Sequence, residues 1–257
     1  MSPQNHNLKI VAIIPARMGS SRFPGKPLAP ILGLPMIEHV YQRVSMCTMV
    51  EAIYVATCDP EICEVVESFG GQVIMTSALH ERASDRVAEA VQGVNADIVV
   101  MVQGDEPMVH PSMIEQAVVP MLDDSRVQCV NLVAPLKDHE AYQDPNIIKV
   151  VMDRHSDALY FSRESIPTSC LIGLEHIPVF KQVCIIPFRR DLLLTYSKLE
   201  PAPLEQAESI DMLRLLEYGY KVRLAMTEFE TCAVDTTEDL LKVEEQMRRD
   251  PLTSQYM

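Results

Sequence analysis

The chain has 257 residues, of which 47% are hydrophobic, and its formal net charge at pH 7 is -14. A chain of this length and composition can bury a substantial core, which excludes intrinsic disorder and predicts one large domain, or a main domain with an appended lobe. The strong negative charge argues against non-specific binding to nucleic acid or to an anionic membrane, because both reward clustered positive charge.

The cysteines and the apolar runs exclude further classes of protein. Seven cysteines without a Cys-x-x-Cys pair fit neither a disulfide framework nor a four-thiolate zinc site. No N-terminal stretch combines a basic region with a long apolar run, and no apolar run reaches about eighteen residues. We therefore expect a soluble, cytoplasmic protein that binds neither nucleic acid nor membranes.

The first half of the chain alternates strand-length apolar runs with segments of helical spacing, a pattern typical of a parallel sheet with crossover helices. In chain order the predicted elements are strand 9–14, helix 36–47, strand 52–56, helix 60–69, strand 72–75, helix 84–94 and strand 98–103. Asp59 is the expected N-cap of the second helix, because Pro60 follows it at a first-turn position. The pattern predicts a nucleotide-binding α/β core of Rossmann type.

The loop after the first predicted strand carries three cations, Arg17, Arg22 and Lys26, and two glycines, Gly19 and Gly25. Glycines let backbone N–H groups approach phosphate oxygens, and the cations neutralise the remaining charge, so the loop predicts a site for a polyanion such as a nucleoside triphosphate. It is not a P-loop, because five residues separate the glycines and a proline follows the lysine, where that motif needs Ser or Thr. The alternative is a solvated basic turn.

Three polar side chains further along the chain are candidate ligand contacts. Asp105 follows the strand 98–103, at the sheet edge where the basic loop should also emerge. Asp235, at another predicted strand end, is a second metal-ligand candidate, since Mg²⁺ takes one or two carboxylates plus phosphate oxygens. The alternatives are a turn former at Asp105 and a plain helix N-cap at Asp235. Arg163, after an aromatic-flanked strand, could receive a substrate carboxylate or form a structural ion pair, and the sequence leaves both open.

From about residue 127 the chain changes to longer strands, which predict a mixed extension of the sheet or a dimerisation lobe. The predicted elements are antiparallel strands 129–135, 147–152 and 179–187 around a loop-rich stretch 166–177, one helix 203–219, strand 221–226 and a closing helix to residue 248. Proline at its start, acidic residues in its first turns and Gly219 after its end favour one continuous helix over 203–219. Thr236 or Thr237 should cap the closing helix.

Several motifs occur in the order expected of one known family. They are Ile14-Pro15-Ala16-Arg17, Gln103-Gly104-Asp105-Glu106-Pro107, Asn146-Ile147-Ile148-Lys149, Tyr160-Phe161-Ser162-Arg163, Pro203-Leu204-Glu205 and Val234-Asp235-Thr236. With these motifs the chain resembles, nearly from end to end, the cytidylyltransferases that make CMP-activated sugar acids. Within them it is most similar to the CMP-KDO synthetase family, where KDO is 3-deoxy-manno-octulosonate.

The resemblance implies a single α/β domain over residues 1–257, of the Rossmann-like nucleotide-diphospho-sugar transferase type. Its central sheet would be mixed and mainly parallel, with a smaller antiparallel dimerisation lobe, and the protein would be a homodimer. Residues up to about 125 would bind CTP. Residues 126–257 would provide the parts for the acid substrate, the metal and dimerisation.

The resemblance also implies the activity, which is Mg²⁺-dependent transfer of CMP from CTP to a small KDO-type acid by in-line attack on the α-phosphate, with release of pyrophosphate. The expected catalytic residues are Arg17, Arg22 and Lys26 at the triphosphate, and Asp105 and Asp235 as ligands of Mg²⁺. The other expected substrate-binding residues are Gly19 and Ser20 in the first loop, Ala56, Thr57, Ser84, Arg86 and Gln103 on the nucleoside side, and Arg163, Gln182 and Glu205 on the acid side.

The chain departs from the family pattern where the acid would bind. Gln182, Ile186 and Met212 stand where the family shows His, Tyr and Gln, whereas the triphosphate loop and both aspartates are intact. Because an unpaired buried polar group costs about 1 to 3 kcal/mol, these changes favour a less hydroxylated or smaller acid, such as another ulosonic acid or a small phosphonate. One alternative is that other side chains hold the same sugar acid. The others are a catalytically weak nucleotide-binding regulator and a glycosyltransferase of related fold.

Overall fold

A computed structural model describes residues 8–19, 23–229 and 232–257. Its first elements are β1 Ile10–Pro15, β2 Pro30–Ile31, β3 Leu34–Pro35, α1 Met36–Ser45, β4 Ala52–Thr57, α2 Pro60–Ser68, β5 Gln72–Met75, α3 Ala83–Ala90, β6 Ile98–Val102 and α4 Pro111–Asp123. The later elements are β7 Val130–Pro135, α5 His139–Gln143, β8 Lys149–Met152, β9 Ala158–Ser162, β10 Phe180–Val183, β11 Ile185–Arg189, α6 Arg190–Tyr196, α7 Pro203–Glu208, α8 Met212–Glu217, β12 Arg223–Met226 and α9 Thr237–Met247. Among the described residues, no helix has the length and apolar character needed to cross a membrane.

The first sheet has the strand order β11-β6-β1-β4-β5. Its strands are parallel except β11, which runs antiparallel to β6. Ile10, Ala12 and Ile14 of β1 face a core shared with α1, α2 and α4, and Val11 and Ile13 face a second core shared with α3, α6 and α8. Because helices cover both faces, β1 and β6 consist entirely of buried residues. The predicted mainly parallel α/β sheet is confirmed.

The second sheet has the strand order β12-β7-β10-β8-β9, with β12 parallel to β7 and the other pairs antiparallel. In the described residues it has five strands, as has the first sheet. The single strand predicted over 179–187 was wrong, because β10 pairs within the second sheet and β11 pairs with β6 of the first. The chain changes sheet at Cys184, and a bridge between Cys129 and Phe188 joins the two sheets. A continuous apolar run does not encode such a change of partner.

The single helix predicted over 203–219 was also wrong, because the segment forms α7 and α8 with a break between them. Ser209 ends α7 in the left-handed backbone region, with φ 55°. The Ile210 N–H then donates to the Glu205 carbonyl at 3.3 Å, which closes the last turn of α7. The apolar spacing continues into α8, which packs against the second core, so the sequence pattern does not reveal the break.

The two predicted helix caps had different outcomes. Thr236 caps α9, because its hydroxyl oxygen accepts the Asp239 N–H at 3.2 Å. Asp59 lies at the N-cap position of α2, but its side chain makes no capping hydrogen bond among the described residues. Its carboxylate instead accepts the Met18 N–H at 2.7 Å. Asp59 therefore ties the start of α2 to the basic loop.

Candidate active site

A cavity of about 470 Å³ opens at the carboxyl ends of β1 and β6. Its wall is formed by the basic loop after β1, the turn after β6, the segment that leads into α3 and the residues between α7 and α8. In open α/β sheets this edge is where ligands bind, because loops from several parallel strands meet there. The cavity is therefore the candidate site.

The backbone of Met18 makes two hydrogen bonds that hold the basic loop in place. Its N–H donates to Asp59 Oδ2 at 2.7 Å, and its carbonyl accepts the Gly25 N–H at 3.0 Å. Gly25 has φ 73°, in the left-handed region that glycine adopts without a Cβ clash. The loop is thus closed between Met18 and Gly25 and held against the start of α2.

Some of the predicted phosphate-binding residues of this loop line the cavity, and others lie outside the described residues. Arg17 and Gly19 are exposed and line the cavity, where a guanidinium can contact a phosphate through two N–H groups. Ser20 and Arg22 lie outside the described residues, so their roles stay predictions. Lys26 lines the cavity and is partly buried.

Lys26 brings the two predicted metal ligands together. Its Nζ lies 2.7 Å from Asp105 Oδ2 and 3.2 Å from Asp235 Oδ1. Burial alone would lower the pKa of Lys26, but the two carboxylates outweigh this effect and raise that pKa above its usual 10.5. The ammonium group therefore stays charged at neutral pH.

Backbone contacts hold the segments that carry these two aspartates. The Val234 N–H donates to the Asp105 carbonyl at 2.9 Å, which joins the turn after β6 to the residue before Asp235. Gly104 lies against the end of β1, where a Cβ would approach the Pro15 carbonyl oxygen to 3.0 Å. A glycine at this position lets the turn that carries Asp105 come close to β1.

The pair of carboxylates fits a magnesium ion. Both contact the same nitrogen atom, so their oxygens are near enough to share one cation. Mg²⁺ at phosphate-binding sites takes one or two carboxylates and completes its shell with phosphate oxygens and water. Within the described ranges, no group of three or more His, Cys, Asp or Glu side chains could hold a metal. The metal shell would therefore depend on oxygens from a bound phosphate and from water.

The predicted nucleoside contacts fall into two groups. Gln103 and Arg86 line the cavity. Ala56, Thr57 and Ser84 are completely buried, and none of them is among the described residues that form the wall. Their side chains therefore lie behind the described part of the wall, and their contact with a nucleoside stays a prediction.

The structure places Arg163 outside the described part of the cavity wall. Its guanidinium donates to three backbone carbonyls, those of Glu208 at 2.6 Å, Pro145 at 3.0 Å and Ser209 at 3.5 Å. In this conformation the side chain forms no ion pair with any of the residues that the structure describes. It holds the end of α7 at the helix break.

Glu205, which the resemblance places near the acid, is buried beneath the wall. Its carboxylate accepts from Arg214 Nε and Nη2, both at 2.7 Å, and its side chain is 1% exposed. Arg214 also donates to Asp85 at 2.9 Å. These contacts join α3, α7 and α8, so Glu205 supports the site from behind.

The three departures from the family pattern do not all reach the cavity. Gln182 and Ile186 line it, and Gln182 Nε2 donates to Asn131 Oδ1 at 2.6 Å. Met212 is completely buried in the second core and is not among the wall residues that the structure describes. Only the first two changes therefore alter the described surface that a substrate would meet.

Comparison with known proteins gives the family. A family model described as cytidylyltransferase matches residues 11–239. The chain belongs to the cytidylyltransferase family. Among its curated relatives, the 3-deoxy-manno-octulosonate cytidylyltransferases of Geobacter metallireducens and Syntrophotalea carbinolica are 44% and 43% identical to it. Each alignment covers 94% of this chain and 99% of the relative.

Solved structures agree with this family. A CMP:2-keto-3-deoxy-manno-octonic acid synthetase complexed with CTP is 42% identical, has a TM-score of 0.87, and is matched over 94% of this chain and 99% of that chain. A 4-diphosphocytidyl-2C-methyl-D-erythritol synthase from Anaerococcus prevotii, 14% identical with a TM-score of 0.63 over 95% of this chain and 97% of its own, shares the fold. The predicted family and fold are confirmed, and this cytidylyltransferase is a nucleotidyl-transferring enzyme.

Sequence reasoning missed part of the wall of this cytidylyltransferase, namely His80, Arg82, Ser209 and Asp211. Arg82 Nη1 donates to Ser209 Oγ at 2.6 Å, which links the segment before α3 to the helix break. Asp211 Oδ2 accepts the Ser84 N–H at 3.1 Å, and burial raises the pKa of Asp211 above its usual 3.8. The sequence did contain one signal for Arg82, namely a positive charge in a segment already assigned to the nucleoside. Ser209 and Asp211 could not be recognised as wall residues, because they lie at a break within a segment that was predicted to be one continuous helix.

Proposed function

We propose that this cytidylyltransferase transfers CMP from CTP to an acid of the 3-deoxy-manno-octulosonate type, with Mg²⁺, and releases pyrophosphate. The observation that carries the proposal is the meeting of Lys26, Asp105 and Asp235 at one point of the cavity wall beside the basic loop. The names of the relatives support CTP as the nucleotide and 3-deoxy-manno-octulosonate as the acid.

The reaction has to bring two anions together. A hydroxyl of the acid attacks the α-phosphorus in line, so that a new O–P bond forms, the bond to the β-phosphate oxygen breaks and the hydroxyl proton is released. Arg17 and Lys26 bind phosphate oxygens and stabilise the charge of the departing pyrophosphate. Asp105 and Asp235 would hold the Mg²⁺, which when bound withdraws charge from the phosphates.

Lys26 is oriented before any ligand arrives. Two carboxylates hold its ammonium group in place and keep it charged. A side chain that is already ordered loses little further conformational entropy when it binds phosphate. Its contribution to positioning the triphosphate is therefore larger than that of a free surface lysine.

A second candidate function is the same transfer to a different acid. Apolar side chains of Ile148 and Ile186 lie in the cavity wall, and the Gln182 carboxamide is already tied to Asn131. A sugar hydroxyl buried against such a surface without a partner would cost about 1 to 3 kcal/mol. This surface favours a less hydroxylated ulosonic acid or a small phosphonate.

Pyrophosphate release tests both candidates. The protein is incubated with each of the four nucleoside triphosphates, with Mg²⁺ or EDTA, and with 3-deoxy-manno-octulosonate, other ulosonic acids and small phosphonates. We expect pyrophosphate only with CTP, an acid and the metal. Fastest turnover with 3-deoxy-manno-octulosonate would contradict the altered-acid candidate. No pyrophosphate with any acid would contradict the transfer and favour a nucleotide-binding regulator, and full turnover in EDTA would contradict the metal requirement.

We also propose that the enzyme acts as a homodimer. The loop before β10 exposes Leu171 and Ile172, with 89% and 55% of their surfaces accessible, and such side chains suit contact with a second copy. Sedimentation should give about twice the chain mass of 28.9 kDa. A monomer at micromolar concentration would contradict this proposal.

A further inference from the structure

We propose that Arg82 binds the carboxylate of the acid substrate, next to the Ser209 hydroxyl. This inference rests on the proposed function and assigns a binding residue to one group of the substrate. A carboxylate that leaves water needs a counter-charge or several hydrogen-bond donors, because an unpaired buried anion is strongly disfavoured. The cavity must therefore supply a cation for the acid in addition to those for the triphosphate.

Four Lys or Arg side chains line the cavity in the described part of the chain, and three have other tasks. Arg17 and Lys26 belong to the basic loop, and Lys26 is engaged by two carboxylates. Arg86 is 3% exposed and donates to Thr76 Oγ1 at 2.5 Å. Arg82 is the arginine that remains.

Arg82 has N–H donors left for a ligand. Its Nη1 donates to Ser209 Oγ at 2.6 Å, and its Nη2 reaches the Glu205 carbonyl at 3.5 Å, the outer limit of a hydrogen bond. Its Nε lies 3.6 Å from Glu205 Oε1 and 3.9 Å from Asp211 Oδ1, which are ion-pair distances rather than hydrogen bonds. A guanidinium has five N–H donors in a planar fork, so these contacts leave room for a carboxylate. The side chain is 22% exposed, and it lines the cavity.

The two acidic neighbours of Arg82 already have other partners. The Glu205 carboxylate accepts two hydrogen bonds from Arg214, and Asp211 accepts the Ser84 N–H. Because these carboxylates are held by other groups, the hydrogen-bonding fork of Arg82 is available to an incoming anion.

The arginine that the resemblance assigns to the acid is engaged elsewhere. Arg163 donates to the carbonyls of Glu208, Pro145 and Ser209, and turning it toward a substrate would remove these donors from the helix break. Arg163 holds Ser209 at its carbonyl, whereas Arg82 holds it at its hydroxyl. Arg163 is therefore a positioning residue: it holds the turn at Ser209, and Arg82 receives the carboxylate next to that turn.

The test compares three arginine variants with a matched control. The variants are Arg82→Gln, Arg82→Lys and Arg163→Gln, and the control is Arg126→Gln, whose side chain is 88% exposed and pairs with Asp124. Pyrophosphate release gives KM for the acid and for CTP. For Arg82→Gln we expect the KM for the acid to rise roughly tenfold to hundredfold, with the KM for CTP within about twofold of wild type. Arg82→Lys should lie between, because lysine keeps the charge but loses the fork. The control should match wild type.

A carboxamide analogue of the acid supplies a readout that a merely structural role of Arg82 would not change. Wild type should prefer the acid over its carboxamide, and Arg82→Gln should lose most of this preference. A preference that survives in Arg82→Gln but disappears in Arg163→Gln would overturn the inference, as would a raised KM for CTP alone. Thermal melts check that each variant is folded, and Arg82→Lys carries the test if Arg82→Gln is not. No turnover by wild type with any acid would overturn the proposed function itself, and this inference with it.

Discussion

Lys26 is the residue at which the charges of the cavity meet. One ammonium group contacts two carboxylates, so the three side chains together retain a negative charge. That charge attracts a divalent cation, while the ammonium attracts phosphate oxygens. The same three side chains are thus suited to both components of a magnesium-bound triphosphate.

Replacing either carboxylate tests this arrangement. We expect Asp105→Asn and Asp235→Asn each to lower kcat by about 10² to 10³, because a neutral amide binds a metal more weakly than a carboxylate does. The aspartate side chains are 27% and 32% exposed, so the thermal midpoint should change little. Pyrophosphate release across a Mg²⁺ titration measures the effect. Asp124→Asn, which also removes an aspartate paired with a cation, is the control, and near-normal turnover of both cavity variants would contradict the metal assignment.

The sequence predicted this cluster but not the whole wall. Lys26 and Asp105 could be placed together because β1 and β6, which precede them, are neighbours in one sheet. Asp235 was predicted at a strand end, but it lies just before α9 and the strand before it belongs to the second sheet, so only the resemblance to the family joined it to the other two. Glu205 could not be placed, since its burial depends on a partner in the next helix. Arg82 could not be assigned either, because it contacts Ser209 at a helix break that no local sequence pattern marks.

Gly104 sets the spacing between the ends of β1 and β6. A methyl group there would lie 3.0 Å from the Pro15 carbonyl oxygen and 3.3 Å from Ile37 Cδ1. We expect Gly104→Ala to lower the free energy of unfolding by about 1 to 3 kcal/mol, and to lower kcat because Asp105 follows it directly. Gly93→Ala is the matched control, since a Cβ built there has no described heavy atom within 4 Å apart from its own chain neighbours. Equal stability of the two variants in urea unfolding would count against this account.

At the scale of elements, the α7–α8 break shows what a sequence pattern leaves out. The predicted start at Pro203 was correct, and the predicted end signal at Gly219 lies just after α8. Ser209 adopts a left-handed backbone between them, and serine is not a residue type that signals it. The break is stabilised from outside the helix, because Arg163 donates to the carbonyls of Glu208, the last residue of α7, and of Ser209, which follows it.

Arg214 joins three helices through one guanidinium. It donates to Glu205 of α7 and to Asp85 of α3 from its own position in α8. We expect Arg214→Met to lower the free energy of unfolding by about 3 to 5 kcal/mol, because the buried Glu205 would lose its two hydrogen bonds from a cation and keep only the more distant Arg82 as a counter-charge. The double variant Arg214→Met/Glu205→Gln should recover part of this loss, as urea unfolding can measure. A double variant as unstable as the sum of the two single changes would contradict the pairing.

At the scale of the whole molecule, the site depends on contacts between the two ends of the chain. Asp235 lies just before α9, and the residues after α9 pack against α1. Arg43 of α1 is 1% exposed, pairs with Asp250 and donates to Thr253 Oγ1 at 2.9 Å. These contacts tie α9, and with it Asp235, to the first core. The sequence could not indicate them, because Arg43 and Asp250 are 207 positions apart.

His39 lies in the same interface, and the neutral form of its ring suits both of its hydrogen-bond partners. A neutral ring that donates from Nε2 to the Ile31 carbonyl at 2.8 Å and accepts at Nδ1 from the Tyr256 hydroxyl at 2.9 Å satisfies both partners. Burial, and then the nearby charge of Arg43, lower the pKa of His39 below its usual 6.5. The folded protein therefore resists protonation of this ring.

The pH dependence of stability follows from that resistance. As the pH falls below about 6.5, the unfolded chain takes up a proton at His39 before the folded protein does, so the free energy of unfolding decreases by at most about 1.4 kcal/mol per pH unit. The contribution is fully present above that pH and is lost on acidification. His39→Gln cannot take up this proton, and its free energy of unfolding should fall less between about pH 7.5 and 5.5 in urea unfolding. The substitution costs stability at every pH, so the prediction concerns the slope, and identical slopes in the two proteins would contradict it.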